Sequence, residues 1–269
     1  MAFSVNTNQG AFVALQQLSA TNKQLSITQN RINTGLKVAS AKDGAATFAI
    51  AQNIRADVAG ISAVKSSLDR SISAVDVALN AAESIADLLT NLRETAVAAS
   101  DPGLDSASRS ALQDEFQQTL KQIDSIVQSA SFNGTNLVSA ANSVVAIDSD
   151  GNAIFSVQGS NLTVSSLNIN STFASATSAQ STVAQIDTAI ATVNGVLSDL
   201  GAGRQRLDLQ ATFISKLQDT LNVGIGNLVD ADLAKESANL QALQVKQQLG
   251  LQALSIANQA PGSILALFR

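Results

Sequence analysis

The 269-residue chain has no histidine, cysteine, tryptophan or tyrosine, and only two prolines. Without histidine or cysteine it lacks the usual general base near neutral pH, a thiolate nucleophile and the side chains that hold most transition metals. Disulfide cross-links are excluded for the same reason. Charge is scarce as well: charged residues make up 14% of the chain, against about 25% in ordinary usage. The net charge of −5 contains no long run of either sign, and the scattered lysines and arginines set nucleic-acid binding aside. Met1-Ala2-Phe3-Ser4-Val5-Asn6 has neither the basic nor the apolar region of a secretory signal. No stretch of about 18 apolar residues is present to cross a membrane. The sequence therefore predicts no catalytic residue, no metal, no cofactor and no membrane insertion.

What remains is alanine, serine, leucine, glutamine and asparagine, patterned for long helices. From Leu228 to Arg269 the chain can pack on two faces at once. Leu240, Leu243, Leu251 and Leu254 form one stripe; Ala238, Ala242, Val245, Leu249, Ala253 and Ile256 form another, ~200° away at helical pitch. Between Leu240 and Phe268 the one charge is Lys246, and glutamines fill the intervening positions, so no ordinary solvated face is left. At the other end Ala11, Leu15, Leu18, Asn22, Leu25, Gln29, Ile32 and Leu36 follow a heptad spacing. The termini are expected to pair as a two-helix hairpin, with apolar and amide surface left over for self-association.

The interior follows the same logic. A long helix is expected from about Ala45 to Ser100, with Ile61, Val64, Leu68, Ser71, Val75, Ala78, Ala82, Ile85, Leu89, Leu92 and Ala96 as a coiled-coil seam. Asp101-Pro102-Gly103 ends it. A third helix carries Leu112, Phe116, Leu120, Ile123, Val127 and Ala130 on one face and stops at the turn Phe132-Asn133-Gly134. Val144–Ile147 and Ala153–Val157 flank Asp148-Ser149-Asp150-Gly151-Asn152 as a β-hairpin, and Leu162-Thr163-Val164 is a candidate third strand. The acidic turn has calcium-loop spacing, but its glycine falls too early and no glutamate closes it, so a solvated turn is preferred. From about Ser175 to Leu221 a heptad returns through Val183, Ile186, Ile190, Val193, Leu197, Leu200, Arg204, Leu207, Ala211, Ile214, Gln218 and Leu221, with Arg204 expected to be interfacial or paired. Thr34–Gly44 and Gly224-Ile225-Gly226 are expected as glycine linkers. The fold class is thus mainly α: a long coiled-coil-like helical rod built from nested N- and C-terminal halves, with a small β-hairpin insertion. The expected division is residues 1–40 and 225–269 as a terminal-helix domain, 41–140 and 175–224 as the rod, and 141–174 as the hairpin region.

The run Thr28-Gln29-Asn30-Arg31-Ile32-Asn33-Thr34-Gly35-Leu36-Lys37-Val38-Ala39-Ser40-Ala41-Lys42-Asp43-Gly44 resembles the N-terminal signature of bacterial flagellins. Leu200-Gly201-Ala202, Arg206-Leu207-Asp208, Asp230-Ala231-Asp232-Leu233-Ala234-Lys235-Glu236, Ala257-Asn258-Gln259-Ala260-Pro261 and the final Leu267-Phe268-Arg269 resemble the C-terminal one. The central segment looks like that of short alphaproteobacterial flagellins. The resemblance implies a non-enzymatic subunit exported through the flagellar type III apparatus, assembling with copies of itself into the filament, with an export chaperone and the filament cap and junction proteins as partners. It places the product outside the cell in the flagellum and offers Ala11, Leu15, Leu18, Leu25, Ile32, Leu240, Leu243, Val245, Leu249, Leu251, Leu254 and Ile256 as assembly residues. The alternative is a hook–filament junction protein of the same helical family.

In the family one stretch is recognised by a vertebrate innate immune receptor. Here it aligns with Asn91-Leu92-Arg93-Glu94-Thr95-Ala96-Val97, and the Arg93-Glu94 pair and Glu115 match. Asn91 stands where the motif has arginine, and Thr95 where it has leucine. Weak receptor activation is the expected outcome in a reporter-cell assay; potent activation would refute it.

Overall fold

The computed structural model describes residues 7–169 and 172–265, with side chains to residue 259. The stretch Met1–Asn6 and the end Leu267-Phe268-Arg269 lie outside the described residues. In chain order the elements are α1 (Gln9–Thr34), α2 (Ala45–Ala99), α3 (Ser106–Ser129), β1 (Ser143–Ile147), β2 (Ala153–Gln158), α4 (Ala176–Val229) and α5 (Leu233–Leu265). They divide into two compact units, 1–56 with 220–269, and 57–219. Helices α2 and α4 contribute residues to both.

In the terminal unit, Asn8 starts α1 by accepting the Ala11 N–H at 3.1 Å, satisfying one of the orphan donors of the first turn. Gly35 ends the helix at φ 71°, a left-handed cap that glycine adopts without a Cβ penalty. The chain then meets the α4–α5 break: Lys37 N–H donates to the Val229 carbonyl at 2.7 Å and Ala231 N–H to the Gly35 carbonyl at 2.8 Å. Val38, Ala51 and Val229 are buried there, with Leu36, Phe48, Ile225 and Leu228 packed around them. The expected linker at Gly224-Ile225-Gly226 is not formed, because α4 continues to Val229. Two glycines cost the helix about 1 kcal/mol each, but Ile225 and Leu228 recover that by packing on the Val229 cluster. A Cβ at Gly226 would sit 2.7 Å from the Asp230 carboxylate, so glycine leaves room for that side chain to fold back. The break comes instead at Asp230–Asp232, where the Asp232 carboxylate caps α5 by accepting from Ala234 and Lys235 N–H at 3.0 and 3.1 Å.

In the second unit the α2 seam is buried at every expected position from Ile61 to Ala96. Three side-chain pairs fix its partner: Ser62 with Gln218, Asp76 with Arg204, and Arg93 with Asp187. Each step up α2 is matched by the same number of residues down α4, so the two helices run antiparallel without a slip. Arg204 is therefore paired, and Asp76 beside it, more than Asp208, raises its guanidinium pKa further above its already high range. On α4 the buried positions in this unit are Ala179, Thr182, Ile186, Ala189, Val193, Val196, Leu200, Gly203, Leu207 and Ile214, so the heptad is offset by one at alternate places. Val183, Ile190, Leu197 and Arg204 are only partly covered. Ile186, Val193, Leu200 and Leu207 belong to both possible seams, and the structure selects the small neighbour rather than the large one because other segments must approach closely. A Cβ at Gly203 would come within 2.6 Å of Val157 on β2.

The turn after α2 is held by Arg109, which donates to the Ala99, Asp101 and Leu104 carbonyls at 3.1, 3.0 and 3.2 Å. Asp105 caps α3, and its side-chain and backbone bonds to Ser108 hold the carboxyl below its ordinary pKa. That cap is complete above the ordinary carboxylate range and weakens as pH falls through it. Phe116, Leu120, Ile123 and Val127 bury one face of α3. The β1–β2 pair is antiparallel with an irregularity between Ala146 and Ile147, and Arg206 lies 4.4 Å over the Phe155 ring, a cation–π contact to α4. Asp148 closes the turn by accepting from Asn152 and Asp150 N–H. Leu162-Thr163-Val164 is not a strand: Leu162 is buried, and the segment turns so that Val164 N–H reaches Asp124 and Phe173 N–H reaches Gln113.

The seam outweighs the surface pairs. Leu89, fully buried, is expected to cost about 2–5 kcal/mol on replacement by alanine. Asp187→Asn, whose partner Arg93 is half exposed like itself, should cost about 1 kcal/mol or less. Denaturant unfolding of both variants checks the order.

Candidate assembly surface

Helices α1 and α5 pack antiparallel along most of their length. At one end Asn8 Nδ2 donates to the Ala257 carbonyl at 2.6 Å; in the middle Gln247 Nε2 donates to Asn22 Oδ1 at 2.8 Å; at the other end Arg31 Nη1 donates to Glu236 Oε1 at 3.0 Å. Between these, Gly250 sits against Leu18, where an added Cβ would meet the Leu18 side chain at 3.3 Å. On α1 the covered residues are Ala11, Ala14, Leu18, Thr21, Leu25, Thr28 and Ile32. The heptad expected from the sequence shares Ala11, Leu18, Leu25 and Ile32 with this seam, but Leu15, Asn22 and Gln29 are replaced by Ala14, Thr21 and Thr28. Threonine serves at Thr21 because its hydroxyl donates back to the Gln17 carbonyl at 2.9 Å, leaving the methyl for packing.

On α5, Leu240, Leu243 and Leu254 face α1, together with Gln247, Gly250 and Ala257. Leu251, expected in that stripe, is 54% exposed, because Gly250 takes the position next to Leu18. Val245, Leu249 and Ile256 lie on the opposite side and are exposed, Ile256 by 69%. On α1, Phe12, Val13 and Leu15 are exposed too. Both terminal helices thus carry exposed large apolar side chains, as does α4 at Leu209, Phe213 and Val223, and Arg31 and Glu236 are an ion pair the sequence did not single out. The signal for that pair was there: one arginine at the end of a charge-poor helix and one acid in the first turn of another.

The immune-receptor-like residues lie elsewhere, in the second unit. Asn91, Arg93, Glu94 and Glu115 are exposed and Thr95 is half covered; Leu92 between them is buried in the seam. Arg93 pairs with Asp187 at 2.6 Å and the Thr95 hydroxyl donates to the Asn91 carbonyl at 3.1 Å.

Among the described residues no group of three histidine, cysteine, aspartate or glutamate side chains could hold a metal ion, and no helix is long and apolar enough to cross a membrane. An apolar side left uncovered on a helix is the kind of surface that marks an interaction site. The sequence comparisons give the family. Residues 5–143 match the bacterial flagellin N-terminal helical region and residues 183–268 the bacterial flagellin C-terminal helical region. Flagellin FljK of Caulobacter vibrioides is 48% identical over 99% of this chain and 98% of its own. A flagellin of Brucella melitensis is 36% identical over 99% of each. A Vibrio parahaemolyticus structure assigned as a flagellar hook-associated protein superposes with a TM-score of 0.58 over 70% of this chain and 100% of its own, at 16% identity, a likeness of fold alone.

The chain belongs to the bacterial flagellin family, of the alphaproteobacterial type. It is a subunit of the flagellar filament and so serves motility; a hook–filament junction role finds no specific support.

Glu236 has 10% of its side chain exposed, and its Oε2 has no hydrogen-bond partner. Removing Arg31 would strand that carboxylate, whereas an amide at 236 removes the charge itself. Arg31→Gln should therefore destabilise filaments by about 1–3 kcal/mol, discounted for the third of Arg31 that is exposed. Glu236→Gln should stay within about 1 kcal/mol. Thermal dissociation of filaments assembled from each variant tests the asymmetry; equal losses would refute it.

Proposed function

We propose that the uncovered sides of α1 and α5 are what neighbouring subunits cover in the filament, with Val245, Leu249 and Ile256 as the main anchors. The observation that carries this is the second apolar stripe of α5, which points away from α1 and has no charged residue in it. Full burial of such a side chain is worth about 1.5–3 kcal/mol, and each of these is more than half exposed in the single subunit. Residues 1–40 and 225–269 then act as the assembly-bearing domain. Ala11, Leu18, Leu25, Ile32, Leu240, Leu243 and Leu254 hold the pair together, and Leu15 and Leu251 flank the contact. Residues 41–140 and 175–224 act as the rod domain and 141–174 as the small hairpin region.

The same exposed stripes need covering before assembly, which supports an export chaperone as a partner inside the cell, and the filament cap and junction proteins as partners at its two ends. The working location is the extracellular flagellum, after secretion, and the role is structural rather than enzymatic, since the chain lacks histidine and cysteine.

The triple variant Val245→Asn, Leu249→Asn, Ile256→Asn is expected to form no filaments in negative-stain electron microscopy, as is a chain lacking residues 228–269. Circular dichroism should show the triple variant still largely helical, since α2–α4 are untouched. Filaments of normal appearance from the triple variant would remove the α5 stripe from the assembly contact.

A further inference from the structure

Two Asn-Gly dipeptides occur in the chain, Asn133-Gly134 and Asn194-Gly195, and both asparagines are exposed. Their backbones differ. Asn194-Gly195 lies within α4, where the Gly195 N–H is held in the helical ladder. Asn133 and Gly134 are both left-handed, at φ 49° and 80°, at the tip of a turn closed by Phe132 N–H to Thr135 O at 2.9 Å and Thr135 N–H to Phe132 O at 3.0 Å. Neither bond uses the Gly134 nitrogen, and nothing lies within 4 Å of where a Gly134 side chain would be. Asparagine and glycine reach other backbone conformations from here at low cost.

We propose that Asn133 is a site of spontaneous deamidation. The Gly134 backbone nitrogen attacks Asn133 Cγ; the new N–Cγ bond forms, the Cγ–Nδ2 bond breaks, and Nδ2 leaves as ammonia, taking up the proton that the Gly134 nitrogen gives up. Water then adds to one of the two carbonyls of the cyclic imide and opens it to aspartate or isoaspartate, with no oxidant or reductant required. Glycine in the second position matters because it has no Cβ to obstruct the attack. At Asn194 the same step needs the helix to open first, since the attacking nitrogen is already hydrogen-bonded and helical ψ keeps it away from Cγ.

The product changes a junction that the structure uses. Asn136, three residues on, donates to the Val127 carbonyl at the end of α3 at 2.7 Å and accepts from Val138 and Ser139 N–H at 2.9 Å. Isoaspartate at 133 adds a methylene to the main chain just before this cap and abolishes the register of the Phe132–Thr135 bonds. Ageing therefore loosens the lead into β1 and adds a negative charge there.

The test is to hold the folded full-length chain in mildly alkaline buffer, sample it over days, and quantify both asparagine peptides by mass spectrometry, with isoaspartyl methyltransferase labelling to mark isoaspartate. Conversion at Asn133 should outrun that at Asn194 by at least about tenfold, the factor imposed by a helix-opening free energy of about 1.4 kcal/mol. In urea the two sites should converge. No conversion at Asn133 overturns the proposal, as does equal conversion of the two sites in the folded chain or faster conversion at Asn194.

Discussion

A helix with two apolar sides that, among the described residues, packs one of them on α1 and leaves the other exposed is the constraint on which the rest of this subunit depends. Helix α5 satisfies one side against α1, through leucines, a glycine and amide hydrogen bonds, and carries almost no charge that would keep the other side in water. The terminal unit therefore leaves apolar side chains such as Val245, Leu249 and Ile256 in solvent. The second unit closes its α2 seam within itself, the positions from Ile61 to Ala96 all being buried, although Leu209 and Phe213 on α4 stay exposed. Under the proposed reading, stability and assembly fall to different stretches of sequence, one with interior leucines and isoleucines and the other with leucines and valines left outside.

Polar chemistry does the fine positioning in both units. Asn8 and Gln247 lock the axial position of α1 against α5 with hydrogen bonds that a sliding pair would lose. Arg31 and Glu236 add a half-buried ion pair near the α4–α5 break. In the second unit Arg204 is shared between Asp76 and Asp208. The exposed pairs among these are worth little in free energy at a wet surface, but each contact is directional, and direction is what an apolar stripe lacks.

Much of this was legible in the sequence where bulk and burial coincide. The α2 seam was legible throughout, because its heptad positions hold most of the large apolar residues and the intervening ones are polar. The α4 seam was legible only at every seventh residue. At the alternate positions the sequence offers a large residue beside a small one, Ile190 beside Ala189 or Arg204 beside Gly203, and pattern alone favours the large one. Close approach by Val157 and its neighbours favours the small one, and that is information about tertiary structure. The same blindness moved Leu15 and Leu251 into seams where Ala14 and Gly250 belong. Glycine at 224 and 226 suggested a linker because its intrinsic cost in a helix is known, while the contacts of Ile225 and Leu228 that offset it are not written locally. The two stripes of α5 were legible, with Val245, Leu249 and Ile256 exposed as the second stripe predicts, whereas the exposure of Leu251 was not.

The equal stepping of the α2 and α4 side-chain pairs carries a consequence for how such a chain can change length. A single residue gained or lost within either helix would shift every later pair to the wrong side of its neighbour, so the helical stretches tolerate replacement far better than insertion. The excursion between Ala130 and Ala176 is different. Its hairpin leaves and returns over the same ground, Ser143 standing opposite Gln158, so extra chain at its turn adds a loop without advancing either helix. Growth at the hairpin turn leaves the α2–α4 register untouched, whereas growth within either helix does not.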